Sequence, residues 1–580
     1  MQIARVNGVV SPTFSDRYLN GQLGIFILLG VICAFLLVLL GVVLGRSVVV
    51  EGEEGLTLYN FKRVLETSAT GRILFNTFMI GIGTVFVTLV IGLPLTWLVQ
   101  RTDLPAKSFI IASMVAGIAI PGFIRAIGYI VLFSPRIGLT NQAFMNLFGT
   151  DKPIFNIYTL YGISLAMGVL LVPLAFFLLS GAMRSMDPAL EDAARSCGAS
   201  TIRVLRVVSF PLMFPGILMA GVYTFMVAIG IFEIPALLGA PAQIHVLSTE
   251  IFWQVVGSGG ARPDYGKGAV YALFIMVPLL IALVFYYRTI NAAYKWTTVR
   301  GKGYRPKIFS LGSWKYPCLA FVFGYLVLAL FLPLLSVAWI SLLPVIRMPS
   351  ADAFATLTLD AYRQMWNEMG GFTPIKNTLF VMAVVPPVVF LISLIVSWFV
   401  LRSNVPGRQV VDSIIMLPRA VPSIVLAFGI LTLSLWVADW VPIYGTLFIL
   451  IPAFVVVFLP YGSRITHTAL LQIHDELDKA AYVCGAGVIA TLWKILLPLL
   501  KPALAYGVLW ISLLTFREVT VPLMLSSPGT DVISVRVWSI WSGGYRQEIA
   551  AALATVMTVV IGVTVLLGHR VISRFLLTDR

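Results

Sequence analysis

Met186-Asp-Pro-Ala-Leu-Glu-Asp-Ala-Ala-Arg-Ser-Cys-Gly-Ala-Ser-Thr-Ile-Arg-Val-Leu-Arg-Val-Val-Ser-Phe-Pro-Leu212 decides how this chain is read, because its pattern returns as His474-Asp-Glu-Leu-Asp-Lys-Ala-Ala-Tyr-Val-Cys-Gly-Ala486 and runs on to Leu496-Leu-Pro-Leu499. Asp187-Pro188 is a favourable helix start, and in both copies a glycine is followed by an amphipathic stretch and a proline thirteen residues later. The spacing predicts helix, tight turn, helix at a membrane surface, since each copy lies between apolar runs and mixes apolar with charged side chains. Gly198 and Gly485 permit a backbone conformation that a bulky residue resists, while Ala193-Ala194 and Ala480-Ala481 let a partner approach closely. A ridge of this shape can pass rigid-body movement from a soluble partner into the membrane. The plain alternative is a surface helix packed on its own bundle; recurrence in corresponding loops argues against it.

Outward from these segments the repeat widens to most of the chain. Asn76-Thr77 returns as Asn377-Thr378, Arg101-Thr-Asp-Leu-Pro105 as Arg402-Ser-Asn-Val-Pro406, and Pro121 as Pro422, all at an offset of 301. Pro173 then matches Pro460, and Cys197-Gly198-Ala199 matches Cys484-Gly485-Ala486, at an offset of 287. The first half carries the longer connection around Ser134–Tyr158, which accounts for the difference. Such a repeat implies a parallel duplication with a path between two equivalent bundles.

The rest of the composition is that of a membrane protein. The 580 residues are 59% hydrophobic and 11% charged, with a mean hydropathy of +0.96; soluble domains carry about a quarter charged residues. The net charge of +15 does not point to nucleic acid, because the basic residues sit between apolar runs rather than on one surface. A membrane helix needs about twenty apolar residues. Such runs lie near 24–45, 74–99, 108–132, 159–180, 212–235 and 268–287, then near 317–341, 376–400, 411–436, 445–461, 499–517 and 549–568. The expected fold is therefore an all-α integral membrane protein of about 12 transmembrane helices in two homologous six-helix halves. The first apolar run lacks a small-residue cleavage pattern and is expected to stay as the first span.

Short loops bearing Arg101 and Lys107, Arg184, Arg195, Arg203 and Arg206, and Arg402 and Arg408 place that side, and both termini, in the cytoplasm. The segment from Arg288 to Lys315, with Lys295, Arg300, Lys302, Arg305 and Lys307, has no acidic residue and reads as a basic tether. The division is then a first half over 1–290, a linker over 291–315 and a second half over 316–580. Glu51, Glu53, Glu54 and Glu66 fall on the opposite side. Pro94, Pro173, Pro386, Pro387 and Pro452 fall inside spans, where they favour bends at a cavity or simply pack. Scattered cysteines and histidines give no metal cluster.

The duplicated motif resembles that of the permease subunits of ATP-binding-cassette importers, whose signature is EAA, three residues, glycine, and later a hydrophobic-x-Leu-Pro pattern. Here it stands as Asp192-Ala193-Ala194 with Gly198 and Ser209-Phe210-Pro211, and as Lys479-Ala480-Ala481 with Gly485 and Leu496-Leu497-Pro498. The glutamate is replaced by aspartate in one copy and by lysine in the other, which reverses the charge. The resemblance covers nearly the whole chain and implies the type I importer permease fold. It also implies coupling segments at about 186–211 and 474–498 that fit clefts on two ATPase subunits, and a periplasmic or lipid-anchored solute-binding protein that delivers cargo. The fused layout, Arg101-Thr-Asp-Leu-Pro105, the Pro121-Gly122 turn and Ser134-Pro-Arg-Ile-Gly-Leu-Thr-Asn141 most resemble ferric iron permeases, with thiamine, sulfate, polyamine and phosphonate permeases as near relatives.

No Walker lysine loop is present, so ATP and magnesium are expected on the partner subunits, and the chain itself is expected to be neither an enzyme nor a metal protein. Glu233 in Phe232-Glu-Ile-Pro235 and Glu518 in Arg517-Glu-Val-Thr-Val-Pro522 are the candidate pathway residues, because ionisable groups at span ends are costly unless useful. A structural salt bridge is the alternative for each. A secondary transporter of twelve spans is the rival class, but it has no reason to carry two coupling motifs.

Overall fold

The computed structural model describes residues 14–50, 55–185, 188–257, 262–293, 308–403 and 405–578. Lys295, Arg300, Lys302, Arg305 and Lys307 of the tether, Glu51, Glu53 and Glu54, and Met186-Asp187 at the start of the first coupling segment lie outside these residues. The described elements are helical, apart from an isolated parallel bridge between Thr102 and Phe309.

Among the described residues, ten helices are long and apolar enough to cross a membrane: Leu23–Val48, Thr70–Arg101, Leu160–Arg184, Arg206–Gly230 and Tyr265–Tyr286, then Gly312–Ile340, Thr373–Arg402, Leu447–Leu470, Val488–Arg517 and Gln547–Leu566. The remaining two expected spans, 108–132 and 411–436, are not straight. Lys107–Ala119 meets Gly122–Phe133 at 98°, and Arg408–Ala420 meets Ser423–Trp436 at 106°. The residue before a proline is driven out of the helical region by the ring. Ile120, before Pro121, accordingly has ψ 133°, and Val421, before Pro422, has ψ 129°. The prolines inside other spans act differently. Helices run unbroken past Pro94, Pro173, Pro386 and Pro387, and Pro452 falls in a first helical turn, where a missing N–H costs little.

Each half is built on its second and fourth spans, Thr70–Arg101 against Leu160–Ser185 and Thr373–Arg402 against Leu450–Leu470. The recurring Asn-Thr pair pins the start of the second span. Asn76 donates to the carbonyl of His245 and Asn377 to those of Gly529 and Asp531, while Thr77 and Thr378 accept from the N–H of Leu247 and Ile533. The longer first-half connection contains the helix Leu139–Phe148.

The first span of each half packs across the duplication. Phe14–Val48 lies on Tyr265–Ala293 of its own half and on Ser423–Trp436 of the other, and Leu332–Ile340 lies on Gly122–Phe133 of the first half and on Gln547–Thr578 of its own. Glycines at equivalent positions allow the approach. A Cβ on Gly128 would sit 2.4 Å from the carbonyl oxygen of Pro333, and one on Gly429 would sit 3.0 Å from that of Leu39. The two halves therefore exchange arms.

Candidate coupling surface and central cavity

Each duplicated segment folds as helix, glycine turn, helix. Pro188–Ser196 ends in the sequence Cys197-Gly198-Ala199, where the Gly198 N–H donates to the carbonyl of Arg195 at 2.8 Å and the Ala199 N–H to that of Ala194 at 3.1 Å. Glu476–Val483 ends the same way, with Gly485 donating to Tyr482 at 3.0 Å and Ala486 to Ala481 at 2.9 Å. This pair of bonds closes a helix only when the following residue is left-handed, and both glycines have φ +84°. Five residues of π-helix, Leu205–Ser209 and Leu492–Leu496, then lead into the spans that carry Pro211 and Pro498 in their first turns. Ala193, Cys197, Gly198, Ala480, Cys484 and Gly485 are exposed, Ala194 is half-buried and Ala481 is buried.

Sequence reasoning missed the anchor of these helices. It named Asp192 and Lys479 as contacts for partner subunits and did not foresee that the carboxylates one residue earlier in each copy, Glu191 and Asp478, fasten the segments to their own half. Glu191 is 2% exposed, lies 3.8 Å from the buried Arg101 guanidinium, and accepts a 2.8 Å hydrogen bond from Ser209. Asp478 occupies the equivalent place, 3.3 Å from Arg402, which also donates to the carbonyls of Leu470 and Ile473. The first helix of each duplicated segment is thus riveted to the end of the second span of its half. The signal was present in the Arg101/Arg402 repeat, but only the helix phase shows which acid faces inward. Lys479 is exposed and pairs with Asp475 at 2.8 Å. That hydrogen bond holds the Asp475 carboxyl below its usual range and the Lys479 ammonium above its own, so the reversed charge is neutralised within its own helix.

The first coupling helix has an additional fastening without a counterpart among the described residues of the second half. The N–H of Phe309 donates to Arg101, the N–H of Asp103 donates to Phe309, and the Arg195 guanidinium lies 4.2 Å from the Phe309 ring centroid. Lys315 reaches Asp103 at 2.7 Å and holds its carboxyl below the usual range. The end of the basic linker is stitched to the first half.

A cavity of about 410 Å³ lies where the halves meet. The two bends of the broken spans open onto it, through Arg125 just after the first and Arg419 to Ser423 across the second. Its charged lining residues are Arg125, Glu233, Arg419, Arg517 and Glu518. Both candidate pathway acids therefore reach one space, although they are not repeat equivalents: an offset of 287 pairs Glu233 with Thr520. These two partners meet, the Thr520 hydroxyl donating to Glu233 at 3.4 Å, and the Thr520 N–H donates to Glu518 at 3.2 Å. Pro94, Pro173, Pro386, Pro387 and Pro452 do not line the cavity, and the ring of Pro173 instead faces Gly117, 3.1 Å from where a Cβ would stand. For these prolines packing is the better reading. The three cavity arginines escaped sequence reasoning too, although an arginine within the apolar run Gly122–Phe133 is itself a signal. Among the described residues no group of three or more His, Cys, Asp or Glu side chains is placed to hold a metal ion.

Comparison with known proteins agrees with the duplication. The family model described as binding-protein-dependent transport system inner membrane component matches twice, over residues 88–293 and 389–577. The ferric transport system permease protein FbpB of Actinobacillus pleuropneumoniae is 25% identical over 500 residues, covering 84% of this chain and 68% of that protein. A probable ABC transporter permease protein, y4fN, of Sinorhizobium fredii is 24% identical and covers 83% of each. The putative 2-aminoethylphosphonate transport system permease protein PhnU of Salmonella typhi is 26% identical over 239 residues, 41% of this chain and 80% of its own length.

Proposed function

Because this chain belongs to the family of binding-protein-dependent transport system inner membrane components, we propose that it takes cargo, ferric iron first among the candidates, from a solute-binding protein and passes it to the cytoplasm at the expense of ATP hydrolysed on two partner subunits. Its class is that of a transmembrane importer permease, which moves solute and performs no reaction chemistry. Support for iron comes from the ferric transport permeases that align with 76 to 84% of the chain.

One observation carries the coupling reading: two identically closed helix–glycine–helix elements in equivalent loops, each fixed by a buried arginine–carboxylate contact to the second span of its half. The exposed apolar side chains around them, Leu190, Val207, Leu477, Val483 and Ile489, suit burial against protein. In this reading the ATPase subunits dock there, on the cytoplasmic face that also holds both termini. Their ATP-driven closure draws the two elements together and reorients the halves as rigid bodies. Asp192, Ala193, Ala194 and Gly198, with Pro211 behind them, receive one subunit; Lys479, Ala480, Ala481 and Gly485, with Pro498 behind them, receive the other.

The test is reconstitution with the ATPase subunits and the binding protein in vesicles. Uptake of ferric iron that requires ATP and stops when the ATPase subunits are omitted is the expected result. Undiminished uptake without them sinks the ATP-driven scheme, and normal iron uptake in cells lacking this chain, with loss of another nutrient, sinks the iron assignment.

A further inference from the structure

We infer that the central cavity selects an anion: the cargo crosses either as a small oxyanion or as a metal ion still wrapped in oxyanion ligands. This rests on the permease reading and narrows its substrate class. Three guanidiniums face two carboxylates around one space, and among the described residues the lining contains no other charged side chain. None of the three arginines has a carboxylate within 4 Å among the described residues, so their charges are not spent on ion pairs of the protein's own.

Arg125 is the sharpest case. It is 4% exposed, lies in the membrane-embedded helix Gly122–Phe133, and its Nε and Nη1 have no hydrogen-bond partner among the described residues. The hydroxyl of Tyr129, one turn along the same helix, is likewise buried and unpartnered. A guanidinium in that position is costly unless something arrives to pair with it. Its planar donor fork suits carboxylate, phosphate, phosphonate or sulfate oxygens, which it binds in pairs.

The other two arginines extend the same chemistry. Arg517 is half-buried and donates to the carbonyl of Ile118. Arg419 is exposed, donates to the Tyr223 hydroxyl at 2.7 Å rather than to a carboxylate, and lies 4.8 Å from the ring centroid of Tyr461. Aromatic faces steady a guanidinium while leaving its charge available to an anion. Exposed, half-buried and buried guanidiniums thus line one route. The two acids are occupied locally, Glu233 by the Thr520 hydroxyl and Glu518 by the Thr520 N–H. A bare trivalent cation would meet net repulsion here, and a cavity of about 410 Å³ has room for a whole small molecule.

The experiment uses the full reconstituted complex with radiolabelled probes: ferric citrate labelled separately on iron and on citrate, sulfate, inorganic phosphate and 2-aminoethylphosphonate, with thiamine and spermidine as cationic controls. At least one anionic probe is expected to enter, and Arg125→Gln to lower its uptake roughly tenfold or more with ATP hydrolysis retained, Arg125→Lys restoring part of it. Arg419→Gln, on an exposed side chain, gives a smaller loss, and retained ATP hydrolysis by the complex shows that this variant is folded. Iron and citrate entering together identifies a wrapped metal, and sulfate, phosphate or phosphonate entering alone identifies a free oxyanion. Uptake of the cationic controls in preference, uptake of none of the anionic probes by a complex that hydrolyses ATP, iron entering without its anion, or unchanged uptake in both glutamine variants overturns the inference. A complex whose ATP hydrolysis is independent of this chain overturns the permease reading instead.

Discussion

Arg101 and Arg402 do the same work at the two ends of the duplication, each facing a carboxylate of its own half. Truncating one partner of a buried ion pair leaves the other uncompensated, at a cost of about 3–5 kcal/mol. Arg101→Ala is expected to lower the stability of the purified protein by roughly that amount, measured by thermal unfolding, and Arg101→Ala with Glu191→Ala to recover part of it. Burial pushes the Asp478 carboxyl above the ordinary carboxylate range, against the opposing pull of Arg402. An acid whose folded pKa is raised destabilises the protein when ionised, and that cost disappears as pH falls through the folded value. The loss from Arg402→Ala should therefore be larger at a pH where the Asp478 carboxyl is ionised than at one low enough to protonate it; a flat profile across that titration would count against an ionised Asp478 as the partner. Glycine positions separate at this scale as well. Gly198 is strained by any side chain because its φ is +84°, but the space around it is open, so Gly198→Ala should cost only about 1 kcal/mol and leave the fold intact while changing the shape of the turn.

Among the elements, the exchanged first spans join the halves, and the two bent helices open onto the cavity between them. Gly128→Ala would drive a methyl into the Pro333 carbonyl and prise apart a helix crossing that joins the halves. Overpacking of that kind costs about 1–3 kcal/mol. Thermal unfolding should show this loss for Gly128→Ala and a smaller one for Gly429→Ala, whose Cβ would have 3.0 Å to the Leu39 carbonyl. Gly562→Ala, with nothing within 4 Å, is the control expected to leave stability unchanged or slightly raised. The bends were written in Ile120-Pro121 and Val421-Pro422, since a residue ahead of proline leaves the helical region on steric grounds. The prolines that pass through helices unbroken could not be told from these by composition, because neighbouring helices decide whether a freed carbonyl is tolerated.

For the whole molecule, the sidedness of the coupling elements is open to a direct measurement on native residues. Cys197 and Cys484 are exposed at equivalent positions beside the two turn glycines, whereas Cys33 is buried. A membrane-impermeant maleimide should label both coupling cysteines in inside-out vesicles and neither in intact spheroplasts, and bound ATPase subunits should protect them. Labelling from the outer face alone would place the elements on the wrong side for the proposed coupling. The asymmetric fastening of Phe309 and Lys315 onto the first half means that the two elements need not respond identically, so protection of Cys197 and Cys484 is best read separately.

The duplicated, all-helical membrane architecture and the two helix–turn–helix elements were legible from the chain itself, because they depend on local quantities: apolar length against bilayer thickness, a glycine where φ must be positive, and motifs returning at a constant offset. Three features were decided by tertiary structure alone. Glu191 and Asp478 face inward because a helix turns about 100° per residue and only packing sets its phase. The exchange of first spans depends on contacts between residues hundreds of positions apart, which no local pattern encodes. The gathering of Arg125, Arg419 and Arg517 with Glu233 and Glu518 around one cavity depends on which helix ends the fold brings to one space from both halves.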